Sequence, residues 1–567
     1  MKVRLPLMIQ DPSTAINKKM GKMTEGFDLE SDDVFLDGPV TRRVAVLDFC
    51  PETGKLIEGA VFVPPKKGQK LGKYDVDKEN IYSEKFIQVS VFGMIMKTIS
   101  MFEKYDILGR PVTWAFPAQQ LLIVPRAGKM QNAYYERDSH GIQFFFFPDP
   151  DHPGKTIYTS LSRDIVAHET GHAILDGIIP DLYNAVTPQS LALHESIADL
   201  TALLMSFSSH TLREFVFNET NGCITESSGF SAIAEQFGNA ILRDNQPLRS
   251  LYNSKTMNPK DKKNGIDRSD PYELSEVLSG ALFNVMGKIH EKLKKKIATA
   301  ENITEFSASG KALFIGSEQF KRMVFRALDY LPVGDVSFAD YGRAIIAADQ
   351  TYYPKEEELR DWIRDEFVKR YMVEGKKTLK VDSNYDHSLV KNLDIDALVN
   401  SDWAAYKFAD ENRKALFIPP GVPFRVLPRL DVTKGYYEED GKKKYRECIF
   451  KVTWSQEESN QKGKVFPSKR QVAVGTTLVI DWDNRKIRSL LTSNRNALKN
   501  EKKEQINDRD LFLKRLVDSG VMELGPRATG FDGKPLLSVI KGDITDGILR
   551  VRGTLKTLHI AGGYYER

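Results

Sequence analysis

Two histidines and a glutamate with the spacing of a metal site stand in an apolar stretch of the chain. The segment reads Ile165-Val166-Ala167-His168-Glu169-Thr170-Gly171-His172-Ala173-Ile174-Leu175-Asp176. Residues four apart lie on one face of an α-helix, so His168 and His172 can present two imidazole nitrogens to one ion, with Glu169 beside them. The H-E-x-x-H spacing therefore predicts a zinc site on a buried helix, with a carboxylate base next to it.

A catalytic zinc usually takes three protein ligands and leaves a fourth position for water, so this site needs one more residue. The segment 191–204 is apolar with helical period and carries Glu195 and Asp199 four residues apart, on one face. We expect Glu195 to complete the metal site. Asp199 can accept the outward N–H of a ligating histidine, for which we favour His168. The alternative is a buried helix whose histidines only pair with these two carboxylates.

The H-E-x-x-H-A-x-x-D sequence, followed by a helix bearing E-x-x-x-D, resembles the thermolysin-like branch of the gluzincin metallopeptidases. A metzincin would need glycine at 175 and histidine at 178, where this chain has Leu175 and Ile178, and the inverted H-x-x-E-H order is absent from the sequence. The resemblance covers roughly residues 85–373. It implies an α+β core with a β-rich N-terminal lobe and a helical C-terminal lobe, and it implies that Asp176 supports the metal ligands from behind.

A candidate substrate strand precedes the H-E-x-x-H segment. Asn132-Ala133-Tyr134-Tyr135 resembles the edge strand of thermolysin-like enzymes, where an Asn-Ala pair holds the substrate backbone. Pairing along a strand edge binds a peptide whatever its side chains are. The resemblance thus implies that Asn132, Ala133 and Tyr134 bind substrate, although Asn132 by itself is typical of a turn. The phenylalanine run at 144–147 predicts a buried strand.

Two islands in the helical region after Asp199 match family positions that face the substrate carbonyl. Arg249 matches an arginine that contacts this carbonyl, and the alternative is a solvated arginine. The second position carries an oxyanion-stabilising histidine in the family but Tyr272 in this chain. A tyrosine hydroxyl is also a donor, and one positioned donor is typically worth about 10²–10³ in rate. The alternative for Tyr272 is an ordinary ring at the start of a helix.

The acidic cluster that binds paired calcium ions in secreted relatives is incomplete in this chain. Asp164 is present before the H-E-x-x-H segment, but Ser206 stands where a further carboxylate is expected. Hard cations need several oxygen ligands together, so we predict no structural dependence on calcium.

The length of 567 residues and an apolar content of 41% are sufficient for several cores. We expect an N-terminal β-containing segment at 1–84, the metallopeptidase domain at 85–375, a helical linker at 376–414 and an accessory, mainly-β domain at 415–567.

Local patterns refine this division. Residues 42–49 and 60–65 are typical of two strands joined by a turn-rich segment, and Phe86 to Tyr105 is typical of an amphipathic helix. In the C-terminal part, a helix over 508–519 and a closing strand over 555–560 are predicted.

Composition argues against several classes of partner. The net charge of +4 is small for this length, so we expect no nucleic-acid partner and no membrane partner. The three cysteines lack the spacing of a metal site or a disulfide framework. The amino terminus lacks an apolar signal core, which indicates a cytoplasmic location. The expected partner is a protein or peptide substrate, with a regulatory protein as a further option.

These observations predict a zinc-dependent neutral endopeptidase. Zn²⁺ held by His168, His172 and Glu195 would activate water, and Glu169 would be the general base. The alternative function is a gated or weakly active gluzincin that serves as a peptide-binding or regulatory component of a multi-protein system such as defence. An aminopeptidase of the related class would need a G-x-M-E-N motif, which the sequence lacks.

Overall fold

The computed structural model describes residues 2–150, 152–185, 187–226, 229–242, 247–382, 384–438, 441–459, 469–494, 502–518, 522–524, 540–545 and 548–552. The protein is a mixed α+β structure. Its N-terminal part contains small β-sheets, its centre is helical, and its C-terminal part is built on a mainly antiparallel sheet.

The N-terminal part forms two four-stranded sheets and one two-stranded ribbon. Its elements are β1 (Lys2–Met8), α1 (Pro12–Asn17), β2 (Thr24–Glu30), β3 (Val44–Val46), β4 (Phe62–Val63), β5 (Gly72–Tyr74), α2 (Glu84–Glu103), β6 (Leu121–Val124), β7 (Ala133–Glu136), β8 (Gly141–Phe144), β9 (Phe146–Pro148) and β10 (Thr156–Tyr158). The sheet orders are β2-β1-β5-β4 and β3-β6-β8-β7, and β9 pairs with β10. Strand β7 therefore lies at an edge.

Two expectations for this part meet the structure only partly. The predicted strands at 42–49 and 60–65 form as β3 and β4, but β3 pairs with β6 and β4 pairs with β5. The phenylalanine run is buried as predicted, but the chain leaves the sheet at Phe145, so the run is divided between β8 and β9.

The central part contains α3 (Arg163–Ile178), α4 (Pro188–Phe207), α5 (His210–Thr220), α6 (Glu235–Leu242), α7 (Pro271–Glu301), α8 (Glu305–Tyr330), α9 (Phe338–Tyr352) and α10 (Glu358–Lys369). Two short strands, β11 (Ala232–Ile233) and β12 (Arg249–Ser250), pair with each other. Helix α4 packs between α3 and α7. Gly171 allows the close approach of α3 to α4, because a Cβ at this position would lie 3.1 Å from Ala198 Cα.

The predicted helix over 86–105 forms as α2, but this helix is buried on nearly every side, so its predicted amphipathic character is wrong. The reason is that α2 packs against both β1 and α3. A helix covered on all faces needs no polar stripe. By length and composition alone α2 could cross a membrane, but 83% of its apolar window is buried inside the protein, as in the core helix of a globular domain.

The C-terminal part begins with three short helices and continues as an eight-stranded sheet. Its elements are α11 (Ser388–Lys391), α12 (Ile395–Asn400), α13 (Asp402–Glu411), β13 (Phe424–Val426), β14 (Leu430–Glu438), β15 (Gly441–Ser459), β16 (Lys469–Asp481), β17 (Lys486–Thr492), α14 (Lys502–Asp518), β18 (Met522–Leu524), β19 (Ile540–Thr545) and β20 (Ile548–Arg552). A second apolar core lies between α12–α13 and β15–β16. Helix α14 overlaps the predicted helix at 508–519, whereas the predicted strand at 555–560 lies outside the described residues.

Candidate metal site

Helix α3 carries a buried group of three side chains that could hold a metal ion: His168, Glu169 and His172. One ligand atom from each lies within 4.8 Å of the others. The helix begins at a serine N-cap, where Ser162 Oγ accepts a hydrogen bond from Ile165 N at 3.4 Å. Because they lie four residues apart, His168 and His172 project from the same face of the helix, with their Nε2 atoms 3.0 Å apart.

Helix α4 adds a carboxylate to the two imidazoles. Glu195 Oε2 lies 3.5 Å from His168 Nε2, and Glu195 Oε1 lies 3.6 Å from His172 Nε2. Ligand atoms 2.0–2.1 Å from a tetrahedral zinc ion are separated by about 3.3 Å. The three observed separations lie on either side of this value. The two Glu195 contacts are made by different oxygens of the carboxyl group, which therefore faces both imidazole nitrogens at distances that suit binding of one metal ion.

Asp199, one turn after Glu195, contacts the other nitrogen of His168. Asp199 Oδ1 lies 3.0 Å from His168 Nδ1. Burial lowers the pKa of His168, but hydrogen bonds to Asp199 and Glu195 outweigh it and raise this pKa to about 9. A proton on Nδ1 directs Nε2 toward the cluster, which is the orientation that metal binding requires.

His194 is a neighbour of the cluster that sequence reasoning missed. Its Nδ1 lies 2.7 Å from His172 Nδ1, and both rings are fully buried. The sequence contained one signal, since His194 immediately precedes Glu195 on the same helix. The spacing of H-E-x-x-H and E-x-x-x-D assigns no role to this position, and only the packing of α3 on α4 shows the contact.

The backbone of edge strand β7 holds Glu169. Tyr135 N donates a hydrogen bond to Glu169 Oε2 at 3.0 Å, and Tyr135 Oη donates to Asp176 Oδ2 at 2.7 Å. Asp176 also accepts a hydrogen bond from Arg137 Nε at 2.9 Å. The contacts of Asp176 thus run to Tyr135 and Arg137, so Asp176 supports the cluster by fixing strand β7 beside Glu169.

The three predicted substrate residues lie at the start of this strand. Asn132 Oδ1 accepts a hydrogen bond from Ala133 N at 2.8 Å, a local contact of the kind that turns use. Tyr134 packs its ring against Phe145 and donates a hydrogen bond to Gln143 Oε1 at 3.3 Å. The structure therefore places Ala133 on the edge strand, while Asn132 shapes the turn that leads into it.

Arg249 reaches the cluster from β12. Arg249 Nη1 lies 3.3 Å from Glu195 Oε2, and Arg249 Nη2 lies 3.3 Å from His168 Nε2. The Arg249 side chain is only 11% exposed, so the alternative of a solvated arginine is wrong.

Tyr272 lies beside this arginine at the start of α7. The Arg249 guanidinium is 6.0 Å from the centre of the Tyr272 ring. Burial, reinforced by the nearby Glu195, raises the pKa of Tyr272 well above 10. The hydroxyl therefore keeps its proton at neutral pH and remains a hydrogen-bond donor.

The charges of the cluster favour a cation. The carboxyl groups of Glu195 and Asp199 contact the guanidinium of Arg249, the carboxyl group of Glu169 lies in the same cluster, and all three side chains are buried. Buried carboxylates are costly unless positive charge balances them. At neutral pH the raised pKa keeps a proton on His168 that supplies part of this balance, and a divalent cation between the imidazoles and the carboxylates would replace it.

Comparison with models of known protein families and with curated protein sequences finds no match to this chain. The reading of the site therefore depends on its own geometry.

Proposed function

We propose that this protein is a zinc-dependent endopeptidase of the thermolysin-like gluzincin type, which hydrolyses peptide bonds of a protein or peptide substrate. One observation supports this proposal most strongly. The Nε2 atoms of His168 and His172 are 3.0 Å apart, each lies 3.5 to 3.6 Å from one oxygen of Glu195, and the carboxyl group of Glu169 lies within the same buried cluster. This combination of three ligands and an adjacent base suits hydrolysis by an activated water.

Zn²⁺ in this position would polarise a carbonyl oxygen and lower the pKa of water toward 7. Glu169 then accepts a proton from the attacking water and delivers it to the leaving amine. The hydrogen bond from Tyr135 N keeps the Glu169 carboxyl at a fixed position for both transfers. Fixing the base before reaction avoids the entropic cost of ordering it later.

Strand β7 is well placed to bind an extended peptide. Backbone groups of alternate residues in a strand point to the same side, and Tyr135 N points toward Glu169. The backbone of Ala133, two residues earlier, therefore faces the same side. Because Ala133 N already donates to Asn132 and Tyr135 N to Glu169, a peptide added to this edge would bond mainly to its carbonyl groups and would run past Glu169 and the candidate metal ligands. We propose that Asn132 supports this edge through the turn that it closes.

Arg249 and Tyr272 provide the positive charge and the hydrogen-bond donor for the substrate carbonyl. Arg249 contacts Glu195 and lies beside the Tyr272 ring, whereas strand β7 contacts Glu169. A preorganised donor acts most strongly on the oxygen whose charge increases in the transition state. We propose that Tyr272 donates to this oxygen, while Arg249 contributes its charge.

The decisive experiment combines metal analysis with mapping of new peptide termini. The wild-type protein is expected to bind one zinc per chain and to release peptides from a denatured protein mixture. Glu169→Gln should retain the metal and lose hydrolysis by about 10²–10⁴-fold, because it removes the proton acceptor. Glu214→Gln, at a side chain that is 66% exposed on α5, is the matched control and should behave like wild type.

The proposal is wrong if the wild-type protein takes up no transition metal, or if Glu169→Gln hydrolyses peptides at the wild-type rate.

The low exposure of the cluster favours one variant of the proposal, in which access to the active site of the enzyme is restrained. His168 and Glu169 are each 6% exposed, and Glu195 is 2% exposed. A pull-down with Glu169→Gln distinguishes an active peptidase from a regulatory scaffold. A trapped protein substrate supports proteolysis, whereas partners bound equally with and without zinc support a regulatory scaffold.

A further inference from the structure

We infer that His194 is a positioning residue that fixes the tautomer and the orientation of the metal ligand His172. The inference rests on the proposed function. It assigns to α4 a second contact with the ligating histidines, in addition to the contact of Asp199 with His168.

The distance between the Nδ1 atoms of His172 and His194 shows that the two rings share a hydrogen bond. His172 Nδ1 and His194 Nδ1 are 2.7 Å apart, a separation that fits one hydrogen between them. An imidazole binds a metal through a nitrogen that carries no proton. If His172 Nε2 faces the ion, the proton of His172 is on Nδ1, and His194 Nδ1 is the acceptor.

Helix α4 then supplies three functions within one and a half turns. In the proposed site Glu195 is the third ligand, Asp199 Oδ1 lies 3.0 Å from His168 Nδ1, and His194 Nδ1 receives the N–H of His172. Each ligating imidazole has its own acceptor on the neighbouring helix. Such acceptors orient a ligand and raise its basicity, and their loss typically weakens metal binding by about 10–100-fold.

The experiment measures zinc affinity by chelator competition and records the absorption spectrum of the cobalt-substituted protein. His194→Leu removes the acceptor, and we expect zinc to bind about 10–100-fold more weakly. His194→Asn places a carbonyl oxygen where Nδ1 stands, so its affinity should lie within about threefold of wild type. The cobalt spectrum should change in His194→Leu and be retained in His194→Asn.

His290→Leu is the matched control, because His290 is another fully buried histidine and its Nε2 contacts Ser309 O on α8, outside the cluster. It should leave zinc affinity unchanged. Thermal unfolding of each metal-free variant shows whether it folds, and His194→Ala replaces His194→Leu if the latter does not. Wild-type zinc affinity in His194→Leu or His194→Ala would overturn the inference. Failure of the wild-type protein itself to bind zinc would instead overturn the proposed function.

Discussion

Arg249 Nη2 lies 2.9 Å from Asp199 Oδ1, the same oxygen that His168 Nδ1 contacts at 3.0 Å. A guanidinium and an imidazole therefore share one carboxylate oxygen at the edge of the cluster. The same guanidinium nitrogen is 3.3 Å from His168 Nε2, the atom assigned to the metal. Arg249 thus repels any cation in the site while it stabilises the carboxylates that attract one.

This repulsion predicts that Arg249→Met binds zinc more tightly than wild type. A divalent ion experiences the repulsion twice as strongly as a proton on His168, so removing the guanidinium favours the metal over the proton. We expect roughly tenfold tighter binding, since a favourable change of about 1.4 kcal/mol is well within the range of close charge pairs. Hydrolysis should nevertheless fall, because Arg249 is assigned to the substrate carbonyl. Chelator competition and peptide turnover measure the two effects.

Arg249→Lys is the control for this prediction. It retains a positive charge beside Asp199, so its zinc affinity should stay close to wild type. Weaker zinc binding in Arg249→Met would show that Arg249 mainly holds Asp199 and Glu195 in place, and the repulsion argument would fail.

The second prediction concerns the hydroxyl of Tyr272. Tyr272→Phe should lower turnover by about 10²-fold or more while leaving the zinc content unchanged, because it removes one donor to the oxyanion. Burial raises the pKa of Tyr272 well above 10, so the loss should be the same across neutral pH. Tyr252→Phe, at a ring that is 50% exposed, should have no effect. Equal turnover by Tyr272→Phe and wild type would return Tyr272 to the role of an ordinary helix residue.

The sequence could predict the metal cluster because its geometry is local. His168, Glu169 and His172 lie within one helical turn and a half, and a helix fixes their relative positions whatever surrounds it. Glu195 and Asp199 follow the same rule on α4. The packing of α3 against α4 was the one feature of the cluster that neither helix determines alone, and the motif spacing restricted that contact to one face of each helix.

Contacts that depend on packing could not be predicted in this way. His194 meets His172 across the interface of α3 and α4, and no periodicity marks that pair. The character of α2 was mispredicted for a related reason, since burial of all its faces comes from β1 and α3 together. The role of Asp176 also needed the structure, because its contacts are with Tyr135 and Arg137 of a strand about forty residues earlier.

The third prediction concerns Asp270, which contacts both Tyr272 and the C-terminal part of the chain. Asp270 is the N-cap of α7, and its Oδ1 accepts a hydrogen bond from Tyr272 N at 2.8 Å. Its other oxygen lies 3.5 Å from Arg515 Nη1 on α14. Asp270→Ala should cost about 1 kcal/mol of stability through the lost cap, and Asp270→Asn should cost little. Arg515→Ala should change stability by less than about 1 kcal/mol, because partly exposed ion pairs contribute weakly.

Measurements of peptide turnover test whether Asp270 acts on hydrolysis through Tyr272. Asp270→Ala should reduce hydrolysis in the wild-type background but cause no further loss in the Tyr272→Phe background, because Asp270 holds the start of the helix that positions the Tyr272 hydroxyl, and Tyr272→Phe already removes that hydroxyl. A double-mutant cycle on peptide turnover measures the coupling. Additive losses would show that Asp270 acts on hydrolysis by another route.

The fourth prediction concerns Asp164, which lies in the first turn of α3. Its Oδ1 accepts a hydrogen bond from Ser206 Oγ at 3.1 Å, and its side chain is fully buried. Burial, together with the nearby charge of Asp11, raises the pKa of Asp164 to about 7. In the unfolded chain this pKa is about 3.9. Between these two values the folded protein binds a proton that the unfolded chain lacks, so this group makes stability fall as pH rises from about 4 to 7.

Asp164→Asn keeps the acceptor for Ser206 and removes the titrating group. We therefore expect the variant to be more stable than wild type at pH 8, by roughly 1–3 kcal/mol, and by a smaller margin at pH 5, where only the first part of the loss has occurred. Thermal unfolding at the two pH values measures this, with Asp365→Asn, at a side chain that is 48% exposed, as the control. Calcium should not raise the unfolding temperature of the wild-type protein, because Ser206 cannot supply the carboxylate that a hard cation needs. If wild type and Asp164→Asn lost stability in parallel between pH 5 and 8, the buried carboxyl would not be the group that titrates.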